Sequence, residues 1–186
     1  MPEAHIIEDV MPQYLVEVKT MVNIDDIPVE ERWKIAAKSA GFMPLLYDKF
    51  FRKALGDKYN EIERPILIEA GKEMKDLAMA LGLPSGNAKQ LVETIGVLNM
   101  ISFGPENRME PVEETEYGAM GKVTECALRN SAIQMGLDPK IVAFTGCRTM
   151  MGSAVESLNP EYTLRQNAKN MCSGDEYCEM AVERRR

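Results

Sequence analysis

The chain has 186 residues, of which 45% are hydrophobic and 27% charged, enough to bury a core without disulfides. A net charge of −7 argues against a nucleic-acid surface, which would need clustered Lys and Arg to displace counterions from phosphates. No apolar run reaches the roughly 18 residues of a membrane span. The N-terminal segment MPEAHIIEDVMPQYL contains acids and a proline, where a signal peptide would have a basic start and an apolar run. We therefore expect a cytoplasmic protein that binds neither nucleic acid nor a membrane.

Residues 1–103 form the first predicted unit, a helical section with four helices. A start signal at Pro28 precedes VEERWKIAAKSAG, which is expected to end at Gly41. The segment FMPLLYDKFFRKALG predicts a second helix, again closed by a glycine. A third helix should begin near Asn60 or just before Pro65, and Ser85 is a candidate cap for the fourth, NAKQLVETIGVLNMI.

Residues 104–186 form the second predicted unit, because prolines, glycines and acids replace the helical spacing after residue 103. We expect an edge strand at 109–116, a second strand in KVTECAL, a short helical turn or loop in SAIQMGLDP, and a helix over Pro139–Leu158. EYTLRQNAKNM and EYCEMAVER alternate around CSGD, which predicts a β-hairpin. The predicted fold class is therefore α+β, with an N-terminal helical section followed by a small antiparallel sheet in the order strand–strand–helix–strand–strand.

All four cysteines lie in the last third of the chain. On the predicted elements, Cys126 lies on the second strand, Cys147 on the helix, and Cys172 and Cys178 flank the hairpin turn. Their spacings do not match the paired C-x2-C of a zinc ribbon or the run of a ferredoxin. Packing of the helix on the sheet would still bring the thiols together as ligands of zinc or an iron–sulfur cluster. Inert burial is the plainer alternative, since free cysteine is among the most buried residue types.

Candidate catalytic groups are few, because the only histidine is His5 near the N-terminus. A thiolate or a carboxylate is therefore the expected nucleophile or base, and Cys126, Cys178 and Asp175 are the candidates. No Walker loop, GxGxxG or HExxH motif suggests nucleotide binding or a hydrolytic zinc site. The predicted helix supplies the candidate ligand-binding residues Cys147, Arg148, Met150 and Met151.

The C-terminal motifs resemble two known groups of proteins. NAKNMCSGDEYCEMAVE is similar to the end of the 4-vinyl reductase domain, a small-molecule-binding module whose last hairpin carries a Cys, Gly-Asp, Cys signature. The longer stretch over 121–183 resembles the L-2-amino-thiazoline-4-carboxylic acid hydrolase-like family and its uncharacterised relatives. The positions that this resemblance implies as functional are Cys126, Cys147, Cys172, Gly174, Asp175 and Cys178.

Three functions are compatible with these patterns. The first is binding of a small organic molecule in a pocket between the sheet and the Pro139–Leu158 helix. The resemblance extends this to hydrolysis of the C–N bond of a cyclic thioimidate or amide. The second is a four-cysteine zinc or iron–sulfur protein that acts as a sensor or electron-transfer accessory. The third is a non-catalytic module that forms a homo-oligomer through its helical half.

Overall fold

The computed structural model describes residues 23–141, 145–165 and 169–185. It confirms an α+β fold in which helices come first and a small antiparallel sheet follows. The helices of the described ranges are α1 Val29–Leu55, α2 Lys58–Ala80, α3 Ala88–Phe103, α4 Ala127–Gln134 and α5 Thr145–Leu158. The strands are β1 Arg108–Met109, β2 Glu113–Thr115, β3 Gly118–Glu125, β4 Tyr162–Leu164 and β5 Cys178–Arg184. None of these helices is both long enough and apolar enough to cross a membrane.

Helix α1 is one continuous helix where the sequence predicts two. Gly41 does not end it but lies buried inside it. A Cβ at Gly41 would lie 3.6 Å from Phe103 and 3.7 Å from Leu128, which is ordinary van der Waals contact, so this position faces α3 and α4 inside the fold. The helix ends instead at Gly56, whose positive φ of 59° is a conformation that glycine adopts without strain.

Helix α2 begins at Lys58, two residues before the predicted start near Asn60, and Pro65 lies inside it. The start of α3 differs from the prediction. The N-cap of α3 is Asn87 and not Ser85: its side-chain oxygen accepts the Gln90 N–H at 2.9 Å. Since an N-cap must accept from the second or third helical residue, the side chain nearest to those donors decides the start.

The sheet is built around β3, which pairs antiparallel with β1 and β2 on one side and with β5 on the other, while β4 pairs with β5. Three strands, of which β1 and β2 are short, therefore precede the crossing helices where two were expected. The predicted hairpin pairs antiparallel as expected, but β4 has only three residues and 166–168 lie outside the described residues. CSGD is not a tight two-residue turn, because Met171–Ser173 forms a short 3-10 helix.

One apolar core joins the helices to the sheet. Its most buried side chains come from α3, α5 and β5: Leu91, Val92, Ile95, Leu98, Val155 and Val182. Helix α2 packs closely along α5, where the Ser153 hydroxyl donates to the Ile68 carbonyl at 2.7 Å. Residues on both sides of the predicted boundary after residue 103 contribute to this core, and the division into two units stays a prediction. The packing holds α5 and its cysteine beside the sheet.

Candidate functional site

A partly open cavity lies where α3, α5, the end of β3 and the start of β5 meet. Its volume is about 80 Å³, and most of its wall is apolar. All four cysteines lie in this wall, together with Phe103, Leu128, Met150 and Met151. We call it the thiol cavity. The four cysteines lie on or beside three separate elements and one turn. Their spacing in the sequence therefore shows no motif.

Contrary to the prediction, Cys126 does not lie on a strand but is the N-cap of a helix. Strand β3 ends at Glu125, and Cys126 is the N-cap of α4, with its sulfur accepting the Arg129 N–H at 3.5 Å. The Asn107 side chain accepts the next N–H of this helix, that of Ala127, at 3.0 Å. SAIQMGLDP was expected to be a short helical turn or loop, and its first four residues form the last turn of α4. The Cys126 thiol therefore lies at the N-terminus of α4, where the backbone N–H groups of the first turn favour negative charge.

The turn around Asn170 positions the thiols of Cys172 and Cys178. Asn170 is buried, and its side-chain oxygen accepts the Cys172 N–H at 2.9 Å while its amide donates to the Ser173 hydroxyl at 3.2 Å. The Met171 N–H donates to the Cys178 sulfur at 3.2 Å. The turn therefore carries Cys172 and also supplies a donor to Cys178 at the start of β5.

Asp175, a predicted catalytic group, lies in this turn outside the cavity wall. Its carboxylate accepts the Asn170 N–H at 2.7 Å. The preceding Gly174 has a φ of 101°, which a residue with a side chain adopts only with strain. Asp175 and Gly174 thus shape the turn, and no contact of Asp175 with the cavity supports its predicted catalytic role. The single histidine of the sequence, His5, lies outside the described residues.

Helix α5 contributes the four predicted ligand-binding residues. Cys147, Arg148, Met150 and Met151 all line the thiol cavity. Cys147 is exposed, whereas Met151 is almost fully buried and also belongs to the core. The helix predicted over Pro139–Leu158 is helical at 139–141 and again as α5 from Thr145, while 142–144 lie outside the described residues. Cys147 therefore lies in the first turn of α5.

The environment of the cavity raises the pKa of every thiol. Loss of hydration is the largest cause for each of the four. It raises the pKa of Cys172 to about 12 together with the negative charges that Cys126 and Cys178 would carry. The pKa of Cys147 is raised further by the other three thiolates, although its exposure weakens the effect relative to an enclosed thiol. Every pair of thiols interacts in this way, so the four form one electrostatic cluster.

Two arginines and several backbone N–H groups act in the opposite direction. Arg129 lowers the pKa of Cys126, Cys172 and Cys178, and Arg148 lowers that of Cys147. The Arg129 guanidinium also donates to the Met171 carbonyl at 3.2 Å, which ties α4 to the turn. Sequence reasoning missed this arginine. Its position three residues after Cys126 becomes informative only once that cysteine is known to cap a helix.

Three asparagines in the cavity wall were also missed: Asn99, Asn107 and Asn170. The side-chain oxygen of Asn99 is buried and has no hydrogen-bond partner among the described residues, while its amide faces the Met151 sulfur at 3.5 Å. An unpaired buried acceptor costs about 1–3 kcal/mol. No local sequence signal marks these positions, because asparagine is common in turns and caps.

The thiols surround the cavity without meeting at one point. In the described ranges, no group of three or more His, Cys, Asp or Glu side chains is arranged to hold a metal ion. A structural zinc site would require four sulfurs at about 2.3 Å from a common centre. The arrangement therefore does not match a single-ion site.

Comparison with known proteins gives no further assignment. No family model, no curated protein and no solved structure matches the chain. The resemblance of residues 121–183 to the L-2-amino-thiazoline-4-carboxylic acid hydrolase-like family and the 4-vinyl reductase domain therefore stays a prediction from the sequence motifs.

Proposed function

We propose that the thiol cavity binds an iron–sulfur cluster with Cys126, Cys147, Cys172 and Cys178 as its ligands, and that the protein is an electron-transfer or sensor protein. One observation carries this proposal. Four cysteines that are far apart in the sequence line one cavity, and all pairs of their thiols interact electrostatically. The chain has no other cysteines, so its whole complement of thiols is gathered at this place.

A cubane cluster is compatible with four thiols that do not share one metal centre. Each iron of a cubane cluster takes one protein thiolate, so the four ligands stand around the cluster and not around one atom. Thiols that line a cavity without an arrangement for one metal ion are in keeping with this geometry. When bound, the cluster would supply one-electron chemistry.

The polar groups of the wall suit thiolate ligands. Backbone N–H groups of Met171 and Cys172 lower the pKa of Cys178, and those of Arg129 and Leu128 lower the pKa of Cys126. Hydrogen bonds to ligand sulfurs are among the factors that set the potential of a cluster. The positive charges of Arg129 and Arg148 offset the thiolate charge that burial disfavours. Since each ligand must lose its proton, iron binding would release protons.

Anaerobic reconstitution tests the proposal. The purified chain is incubated with ferrous iron and sulfide, desalted, and analysed for bound iron, acid-labile sulfide, visible charge-transfer absorbance and, after reduction, the electron paramagnetic resonance signal. We expect all four signals in the wild type and their loss in Cys172→Ser and Cys178→Ser. Glu176→Gln, an exposed position of the same turn, is the matched control. The proposal would be contradicted if the wild type bound no iron and sulfide. It would also be contradicted if every Cys→Ser variant bound as much iron and sulfide as the wild type.

The second candidate is binding of a small organic molecule, and the unpaired Asn99 oxygen favours it. This atom lies beside an apolar wall formed by Phe103, Leu128 and Met150. A ligand with an N–H or O–H group near Asn99 and an apolar body against the wall would pair the Asn99 oxygen and cover the apolar side chains. The resemblance to the thiazoline carboxylate hydrolase-like family supports the same substrate class, a cyclic thioimidate or amide.

A hydrolytic version of this second candidate depends on the thiols alone. Cys126 and Cys178 line the cavity, whereas Asp175 is engaged in the turn. The cluster-free protein is incubated with thiazoline carboxylates, and product formation and the shift in melting temperature are measured. Turnover that is lost in Cys126→Ser would support hydrolysis. A melting-temperature shift without turnover would support binding only, and the absence of both would exclude this candidate.

A further inference from the structure

The four cysteines of the thiol cavity differ in their exposure to solvent. Cys126, Cys172 and Cys178 are half-buried, whereas Cys147 is exposed. Cys147 lies in the first turn of α5, and the cavity that it lines is partly open. Since the hydrophobic cover around a metal site controls the access of solvent, Cys147 is the thiol that a molecule from solvent reaches most readily.

Hydrogen bonds join the three half-buried cysteines into one unit. The Cys126 sulfur accepts the Arg129 backbone N–H at 3.5 Å, and the Cys178 sulfur accepts the Met171 backbone N–H at 3.2 Å. The Arg129 guanidinium also donates to the Met171 carbonyl at 3.2 Å, which ties α4 to the turn that carries Cys172. These three thiols are therefore positioned relative to one another by the hydrogen bonds of α4 and the turn.

Cys147 lies outside this hydrogen-bonded unit. It is carried by α5, whose position is set by packing along α2. None of the described residues forms a hydrogen bond with its sulfur. Hydrogen bonds from surrounding groups orient metal ligands and hold them in place. Cys147 thus lacks both the burial and the hydrogen bonds that retain the other three sulfurs.

We propose that Cys147 is the exchangeable ligand of the cluster, and that a small anionic donor from solvent, a thiolate or a carboxylate, takes its place on the iron. This inference rests on the cluster proposed above. The exchange breaks the bond between iron and the Cys147 sulfur and forms one bond from iron to the incoming anion. The released Cys147 thiolate takes up a proton from solvent, and no electron is transferred.

The charge beside Cys147 suits an incoming anion. Arg148 follows Cys147 on α5 and lines the same cavity, and its positive charge favours a thiolate at Cys147. An anion that replaces this thiolate would meet the same positive charge, whereas a neutral donor would lose the attraction. The site that Cys147 leaves is therefore suited to an anionic ligand.

Iron and sulfide analysis of single Cys→Ala variants tests the assignment. All variants are reconstituted anaerobically in the same way as the wild type. We expect Cys147→Ala to lose roughly twofold or less of the bound iron and sulfide, and Cys172→Ala and Cys178→Ala to lose about tenfold or more. Because Cys147 is exposed, Cys147→Ala should keep the circular dichroism spectrum of the wild type.

Alkylation of the iron-loaded wild type tests the exchange by a separate readout. Iodoacetamide is added anaerobically, and the modified peptides are identified by mass spectrometry. We expect modification of Cys147 with the visible absorbance retained, and protection of Cys126, Cys172 and Cys178. Iron-free protein unfolded in urea is the control, in which all four thiols should be modified. Modification of all four at equal rates in the loaded protein would overturn the proposal.

Cyanide is the probe for the incoming anion. Titrated into the reduced, iron-loaded wild type, it should shift the electron paramagnetic resonance signal. Cys147→Ala should shift at an about tenfold lower cyanide concentration, because no thiolate competes for the iron. A signal that cyanide leaves unchanged in Cys147→Ala would overturn the proposal, and so would a Cys147→Ala protein that loses as much iron as Cys172→Ala. Both results leave the cluster intact as a proposal, whereas a wild type that binds no iron would overturn the cluster and this inference together.

Discussion

The backbone N–H of Met171 donates a hydrogen bond to the sulfur of Cys178 at 3.2 Å. The same residue accepts a hydrogen bond from Arg129 through its carbonyl at 3.2 Å. The turn that carries Cys172 is thereby linked to the sulfur of Cys178 on one side and to α4, which begins at Cys126, on the other. Three of the four thiols are connected by main-chain and side-chain hydrogen bonds and do not merely pack in the same cavity.

Cys126 allows its structural role to be separated from its chemical role. Cys126→Ser retains a side-chain acceptor at the N-cap of α4, and serine is a better cap than cysteine. We expect the free energy of unfolding to be unchanged or slightly raised, with loss of bound iron and sulfide. Cys126→Ala should lose the metal and also about 1 kcal/mol of stability. Urea unfolding and elemental analysis measure the two effects; equal stability losses in both variants would contradict the capping role.

Asn170 is expected to be essential for the turn. Asn170→Ala removes the acceptor of the half-buried Cys172 N–H, and loss of this hydrogen bond should cost about 0.5–1.5 kcal/mol. The displaced turn should also reduce the iron bound after reconstitution. Ser173→Ala is the control. Ser173 is exposed, and this variant removes only the hydroxyl that accepts the Asn170 side-chain N–H. A stable Asn170→Ala protein that binds iron normally would show that the turn is positioned by other contacts.

Gly71 and Gly152 form a matched pair at and beside the α2–α5 contact. A Cβ at Gly71 would lie 2.7 Å from the Ser153 Cβ and against the Met150 carbonyl oxygen, whereas a Cβ at Gly152 would meet no atom within 4 Å. Gly71→Ala should therefore lower the free energy of unfolding by about 1–3 kcal/mol and displace α5 with Cys147. Gly152→Ala should raise it by roughly 0.5–1 kcal/mol through helix propensity. Thermal and urea unfolding of both variants checks the opposite signs.

The raised pKa of Cys172 predicts how the stability of the metal-free protein depends on pH. Burial raises this pKa from the ordinary value of 9.0 to about 12. On raising the pH through 9, the unfolded chain loses its proton first while the folded chain retains it, so the unfolded state is favoured. The contribution is fully present below pH 9 and is lost as the pH rises toward 12. Cys172→Ser should therefore lose less stability than the wild type over this interval in urea unfolding, and parallel pH profiles would disprove the shift.

The sequence by itself determined the class of fold and the residues that could carry chemistry. The spacing of apolar residues was sufficient to predict that helices precede the sheet. A helix must bury one apolar face whatever element packs against it. The concentration of all four cysteines in the last third, with Gly174 and Asp175 between two of them, indicated where to look. The boundaries were less predictable: Gly41 reads as a helix end but serves as a contact, because Phe103 and Leu128 are distant in the sequence.

Only the tertiary structure decided whether the thiols lie together. Packing of α2 along α5 places Cys147 beside the sheet, the end of β3 turns Cys126 into a helix cap, and the Asn170 turn places Cys172 and Cys178 on the same cavity. These contacts are long-range, so their geometry depends on side-chain volumes across the core and on hydrogen bonds to the backbone, neither of which follows from local spacing. The residue types in the chain made thiolate chemistry available, and the packing of distant elements gathered it in one cavity.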